Sequence, residues 1–281
     1  MHENFLRIAG ITIAIRCGDP RVACRHEGTV MRFRIDPAPP DIVLDVAFLD
    51  HYEPPTGAML FDSGGVWRSF AEGDGVRIEC RWDELGPDPY RVATFNRDFT
   101  RGTIRTAVTK TADPFDYPLD ELLIANLLGR GRGVELHGCG VIDHAGRGLL
   151  FVGQSGAGKT TTARMWGDDA REIISDDRIV IREEEGVLWM YGTPWHGEAE
   201  LASPTRAPLT AVYLLAQATS NELRELPAAV AVARLFGCTF PPFHDAAAIE
   251  FTMSMLERIV ARVPVREFRF TLDRAALKLI G

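Results

Sequence analysis

An apolar run, Leu149–Val152, passes directly into Gly153-Gln154-Ser155-Gly156-Ala157-Gly158-Lys159-Thr160 and on into a helix-compatible stretch ending near Trp166. This spacing, G-x-x-x-x-G-K-T, leaves few folds open. Glycines let the chain double back so that several backbone N–H groups point inward, and a helix starting near Lys159 adds the positive end of its dipole. Such a strand–loop–helix cradles phosphate, with Lys159 reaching the outer phosphates and the Thr160 hydroxyl ligating Mg²⁺. The expected ligand is a nucleoside triphosphate, ATP with Mg²⁺. Its expected contacts are Gly153, Ser155, Gly156, Ala157, Gly158, Lys159, Thr160 and Thr161.

A second apolar run, Glu172–Ser175, ends in Asp176-Asp177. In phosphate-loop proteins an acid at the end of a neighbouring strand steadies the metal. Side chains of consecutive extended residues point to opposite faces, so these two acids divide their work. One is suited to the metal and the other to receiving a proton from an attacking hydroxyl. Arg178, just beyond them, is placed to form an ion pair with one of the two.

The rest of the chain sets the frame. At 281 residues it is long enough for about two domains. Residues 1–115 read as a β-rich domain of short strands divided by Gly, Pro and Asp clusters. The strands are FLRIAGITIAI, TVMRFRI, DIVLDVAFL, AMLFD, VWRSF, VRIECRW and YRVATF, and a sandwich would accommodate them. Residues 116–281 read as an α/β domain with a mixed sheet. A helix follows Pro118 and is stopped by GRGRG at 129–133, strands alternate with the glycine loop, and helices fall near 227–236 and 246–262.

The net charge of −8 offers no attraction to nucleic acid or to an anionic membrane surface. No apolar run is long enough to span a bilayer, and the opening MHENFLRIAG lacks the basic start of a signal peptide. A cytoplasmic setting is expected. Five scattered cysteines, Cys17, Cys24, Cys80, Cys139 and Cys238, suggest neither a disulfide framework nor a zinc site. Trp67, Trp82 and Trp166 read as packing residues.

Three segments together, ELHGCGV at 135–141, LLFVGQSGAGKTT at 149–161 and IISDDRIVI at 173–181, resemble the catalytic domain of the HPr kinase/phosphorylase family. The closest likeness is to the HPr-kinase-like proteins of peptide and polysaccharide gene clusters, and it covers roughly residues 134–215. The resemblance implies a fold related to ATP-dependent phosphoenolpyruvate carboxykinase. It also implies phosphoryl transfer to a serine hydroxyl on a peptide, a protein or a small hydroxyl compound. In that pattern Asp176 falls on the general base, Asp177 on the companion acid near metal and lysine, and His137 on a histidine near the phosphates. A homo-oligomer follows from the same analogy. The family's Arg-Gly-Leu-Gly signature is replaced here by GTPWHGEAELASPTRAPL at 192–209, where Glu198 is the natural stand-in for its metal-binding glutamate. His196 and Arg206 are further candidates for phosphate or acceptor. A different class uses the same loop: a regulatory or assembly protein that senses ATP without transferring phosphate.

Overall fold

The computed structural model describes residues 2–108, 113–271 and 273–280. The chain is mixed α/β and divides into two compact units between Leu127 and Leu128. The first unit is one eight-stranded mixed sheet. Its strands are β1 (His2–Ile8), β2 (Ile11–Cys17), β3 (Ile42–Phe48), β4 (Met59–Asp62), β5 (Trp67–Glu72), β6 (Gly75–Cys80), β7 (Arg91–Phe95) and β8 (Arg101–Thr106). They lie in the order β1-β2-β3-β8-β7-β6-β5-β4. One continuous sheet therefore replaces the expected sandwich. Helix α1 (Leu119–Leu127) closes this unit, whereas the sequence reading began the second domain at residue 116.

Local corrections have local causes. TVMRFRI is not a strand; Gly28–Phe33 is a 3₁₀ helix in which only Phe33 is buried. Apolar alternation makes a strand only where a partner offers hydrogen bonds and a face to bury, and here the edge of β1 takes only a single bridge, Leu6 to Arg34. The strand β8 carries little signal in the sequence, because its buried positions are Gly102, Ile104 and Thr106, of which only one is a large apolar residue. Cys17 and Cys24 form a disulfide, contrary to expectation, with Cα atoms 6.3 Å apart. Asp19 accepts the Arg21 N–H at 3.0 Å and turns the chain back between them. Trp82 is 54 % exposed rather than packed.

The second unit holds β9 (Val134–Ile142), β10 (Gly148–Val152), α2 (Lys159–Trp166), β11 (Glu172–Ser175), β12 (Arg178–Glu184), β13 (Val187–Gly192), β14 (Arg206–Gln217), β15 (Glu222–Glu225), α3 (Ala228–Phe236), α4 (Ala246–Arg262) and β16 (Val265–Phe270). The central strand β10 is antiparallel to β9 and parallel to β14. Two long strands change neighbours halfway. In β9, Val134–Ile181 pairing joins it to β12 at one end, while Gly138–Ile142 pairs with β10 at the other. In β14, Arg206–Pro208 pairs with β13 and later residues with β10 and β16. The sheet consequently curls, and β12 and β13 fold over one face of β10.

Every residue of β10 is buried, which is why it reads as an unbroken apolar run and not an alternating one. Leu149 and Phe151 face a cluster with Ala163, Met165 and Trp166 of α2 and with Tyr213, Phe268 and Phe270. Leu150 and Val152 face the opposite cluster, shared with Ile179 and Ile181 of β12, Leu235 of α3 and Leu256 and Ile259 of α4. The glycine loop thus leaves a strand clamped on both sides. Among the described residues no helix is long and apolar enough to cross a membrane.

Phe151 stacks on Tyr213 with centroids 5.1 Å apart and meets Trp166 and Phe268 at 6.2 and 6.4 Å. Phe151→Ala should cost about 3–5 kcal/mol, the range for truncating a fully buried aromatic. Urea unfolding of the variant beside wild type measures it, and a loss below about 1 kcal/mol contradicts this packing.

Candidate functional site

The loop between β10 and α2 is shaped by its glycines. Gly156 has φ +79° and Gly158 φ +106°, left-handed values that L side chains rarely adopt. At Gly158 a Cβ would also lie 2.8 Å from Cζ of Phe270. Within the loop the Ala157 N–H donates to the Gln154 carbonyl at 3.1 Å, and the Gln217 amide holds the apex by donating to the Gly156 carbonyl at 2.8 Å. The first helical bond of α2 runs from the Thr162 N–H to the Gly158 carbonyl. The amides of Lys159, Thr160 and Thr161 belong to a first turn with no preceding carbonyls to bond. Ser155 and Gly156 are exposed, and Ala157, Gly158, Thr160 and Thr161 are half-buried.

Lys159 is 6 % exposed. Its ammonium donates to the carbonyls of Gly153 and Gln154, each at 3.1 Å. Burial pushes this group below the ordinary lysine value, and the Asp177 carboxylate offsets part of that. A cation so held is short of solvation and gains from an anion in the loop.

Asp177 lies on the lysine side. Its Oδ1 accepts from His137 Nε2 at 2.8 Å and its Oδ2 from Arg178 at 2.7 Å, the ion pair foreseen for Arg178. Burial works to raise its carboxyl, but the His137 hydrogen bond and the charges of Arg178, His137 and Lys159 outweigh it and hold it below the usual range. Since an ionised carboxylate only accepts, Nε2 carries the proton of that bond. The ring of Phe240 lies 4.1 Å from the Arg178 guanidinium and 6.0 Å from the His137 ring. Cys238 sits close enough for its thiol and Lys159 to feel one another. Cys139 is fully buried, and burial raises its thiol, in keeping with a structural role.

Lys159, His137 and Asp177 are therefore brought together. Asp176 has other partners: the two acids form the bend between β11 and β12, and each is held by a different segment. Asp176 is 1 % exposed, and its carboxylate accepts the N–H groups of Gly197 and Ala199 at 2.9 and 3.0 Å. Glu198 and His196 are exposed on that loop, with His196 Nδ1 donating to the Gly197 carbonyl at 2.9 Å. Arg206 belongs elsewhere: it pairs with Glu184 at 2.6 Å and stacks over Trp189 at 4.1 Å. The acidic turn also does not follow a strand adjacent to β10. β11 pairs with β9, which stands between the two, because β9 takes the position a parallel neighbour would otherwise fill.

Residues that sequence reasoning missed are Phe240, Gln217, Ser175 and Thr193. Phe240 and Gln217 come from distant segments with no motif. Ser175 and Thr193 lay within named stretches, but their partners are backbone atoms of the facing loop. Among the described residues no three His, Cys, Asp or Glu side chains gather as a ready-made metal site. The oxygens present, the Thr160 hydroxyl and the Asp177 carboxylate, suit Mg²⁺, which takes few protein ligands and completes its shell with water and phosphate.

The lowered Asp177 carboxyl implies a pH dependence. Its stabilising contribution is complete above the unfolded carboxylate value, about 3.9, and is lost as pH falls through the lower folded value. Unfolding midpoints measured from pH 6 down to 2.5 should drop less steeply at the acid end in Asp177→Asn than in wild type. Parallel curves would show that the His137–Asp177–Arg178 cluster is not formed. No protein-family model matches this chain, and no curated protein sequence matches it.

Proposed function

We propose that this protein is an ATP- and Mg²⁺-dependent kinase of the HPr kinase/phosphorylase type, transferring the γ-phosphate to a serine hydroxyl of a peptide or protein. The observation that carries this reading is the buried Lys159 ammonium in a glycine-shaped loop at the start of α2, with His137 and Asp177 facing it. The mixed arrangement around β10, antiparallel on one side and parallel on the other, supports kinship with the phosphoenolpyruvate-carboxykinase-like fold over an all-parallel sheet.

The chain's own groups suit the reaction. Loop amides and Lys159 would bind and neutralise the phosphates. Thr160, Asp177 and, from the second loop, Glu198 are the proposed Mg²⁺ ligands, and the metal, when bound, contributes charge neutralisation on the phosphate oxygens. His137, fixed by Asp177, would donate to or accept from the transferred group's surroundings without reorganising. The resemblance assigns Asp176 to the acceptor's proton.

A second reading has an observation of its own. Both acids are engaged, Asp177 by His137 and Arg178 and Asp176 by two backbone amides, which would suit a protein that senses ATP without transferring phosphate. Incubation with γ-labelled ATP, Mg²⁺ and serine-containing peptides separates the two. Label on serine is the expected result; retained nucleotide with no transfer to any acceptor favours the sensor. In both readings Lys159→Ala should weaken triphosphate binding about 10- to 100-fold, the worth of a lost charge-assisted contact, with the thermal midpoint followed alongside. Unchanged binding in a folded variant removes the phosphate loop from the account.

A further inference from the structure

The connection between α3 and α4 is tied to β9 at the point where the site gathers. The His137 N–H donates to the Cys238 carbonyl at 2.8 Å, the Phe240 N–H donates to the Glu135 carbonyl at 3.4 Å, and Thr239 bridges to Leu136. Thr239 Oγ1 closes the turn behind α3 by donating to the Phe236 carbonyl at 2.8 Å. Pro241 and Pro242 follow, both buried, and their rings fix φ on the other side of Phe240. The Phe240 backbone is thereby held from both directions. Its half-buried ring has its centroid 4.1 Å from the guanidinium carbon of Arg178 and 6.0 Å from the centroid of the His137 ring.

Those two neighbours are donors to Asp177. His137 Nε2 donates to Oδ1 at 2.8 Å and Arg178 Nη1 to Oδ2 at 2.7 Å. An ionised carboxylate offers about four lone-pair sites, so two donors orient it and leave the others for a metal ion. Arg178 follows Asp177 directly in the chain, and its long side chain must be held in place by more than the backbone. Glu135, 2 % exposed, draws Nε at 3.5 Å. The face of the Phe240 ring attracts the guanidinium as well, inside the ~6 Å reach of a cation–π contact. We infer that Phe240 is a positioning residue: packed against both donors, its ring fixes the direction in which Asp177 presents its carboxylate, and so sets how firmly Mg²⁺ is taken up with the triphosphate. The Mg²⁺ side of this inference rests on the reading of Asp177 as a metal ligand; the ordering of its two donors does not.

Phe240→Leu removes the ring face and keeps apolar bulk, whereas Phe240→Tyr keeps both. ATP binding is measured by calorimetry with Mg²⁺ and with EDTA, and the ratio of the two affinities is the gain from the metal. Phe240→Leu should lower that gain about 3- to 30-fold, the span of one cation–π contact, with binding in EDTA nearly unchanged, while Phe240→Tyr should match wild type. In an Arg178→Met background Phe240→Leu should cost much less, because both changes remove one shared contact. An unchanged gain in folded Phe240→Leu, or an equal loss in Phe240→Tyr, overturns the inference. A second readout needs no nucleotide. The His137 Nε2–H should give a slowly exchanging imidazole proton signal in wild type and Phe240→Tyr, identified by its loss in His137→Gln. In Phe240→Leu that signal should broaden away as exchange with water quickens. If wild type binds no ATP, or Asp177→Asn keeps the full gain, the reading of the site fails and the proton signal decides alone. A signal equally sharp in Phe240→Leu, or absent from wild type, overturns the positioning role.

Discussion

The candidate site depends on a few backbone hydrogen bonds at one point of β9. The His137 carbonyl accepts the Gly153 N–H at 3.2 Å, the His137 N–H donates to the Cys238 carbonyl at 2.8 Å, and the Gly138 N–H donates to the Asp177 carbonyl at 2.9 Å. The start of the glycine loop, the segment after α3 and the acidic turn are thereby held to two consecutive residues. Backbone groups this buried are nearly always paired, so none of the three segments can shift without leaving a polar group stranded. β9 has the length for this because it serves two sets of neighbours, β12 at its start and β10 and β11 at its end.

Charge follows from that convergence. Lys159, Arg178, His137 and Asp177 are crowded into a partly buried volume, where each ion is poorly hydrated and its neighbours count for more than in water. The Lys159 ammonium is pushed down by burial, whereas the Asp177 carboxyl is held down by its partners. The ring of Phe240 lies over the Arg178 guanidinium.

The first unit follows different rules. Its sheet buries an ion network, with Glu79 at 0 % exposure held by Arg77 at 2.9 Å and Arg81 at 3.1 Å and accepting from the Tyr52 hydroxyl at 3.1 Å. Burial of such charges is tolerable only with this degree of pairing. The network ties Tyr52 to β6 but offers no phosphate-binding geometry comparable to the glycine loop.

Much of the second unit could be read from the amino-acid order, because strong local signals coincide there: an apolar run, glycines at fixed offsets, and amphipathic segments bounded by breakers. The strand before the loop, the helix after it, the strands flanking Asp176-Asp177 and both later helices follow from such signals. What the order of residues could not supply is which strands become neighbours. Hydrogen bonds between strands carry no signature in either partner alone, so the placing of β9 between β10 and β11, the single sheet of the first unit and the charged edge strand β15 emerged only in three dimensions. The same holds for Asp176, whose partners are two backbone amides about twenty residues away: amino-acid identity determined that a carboxylate stands there, and only the folded loop decided what it touches.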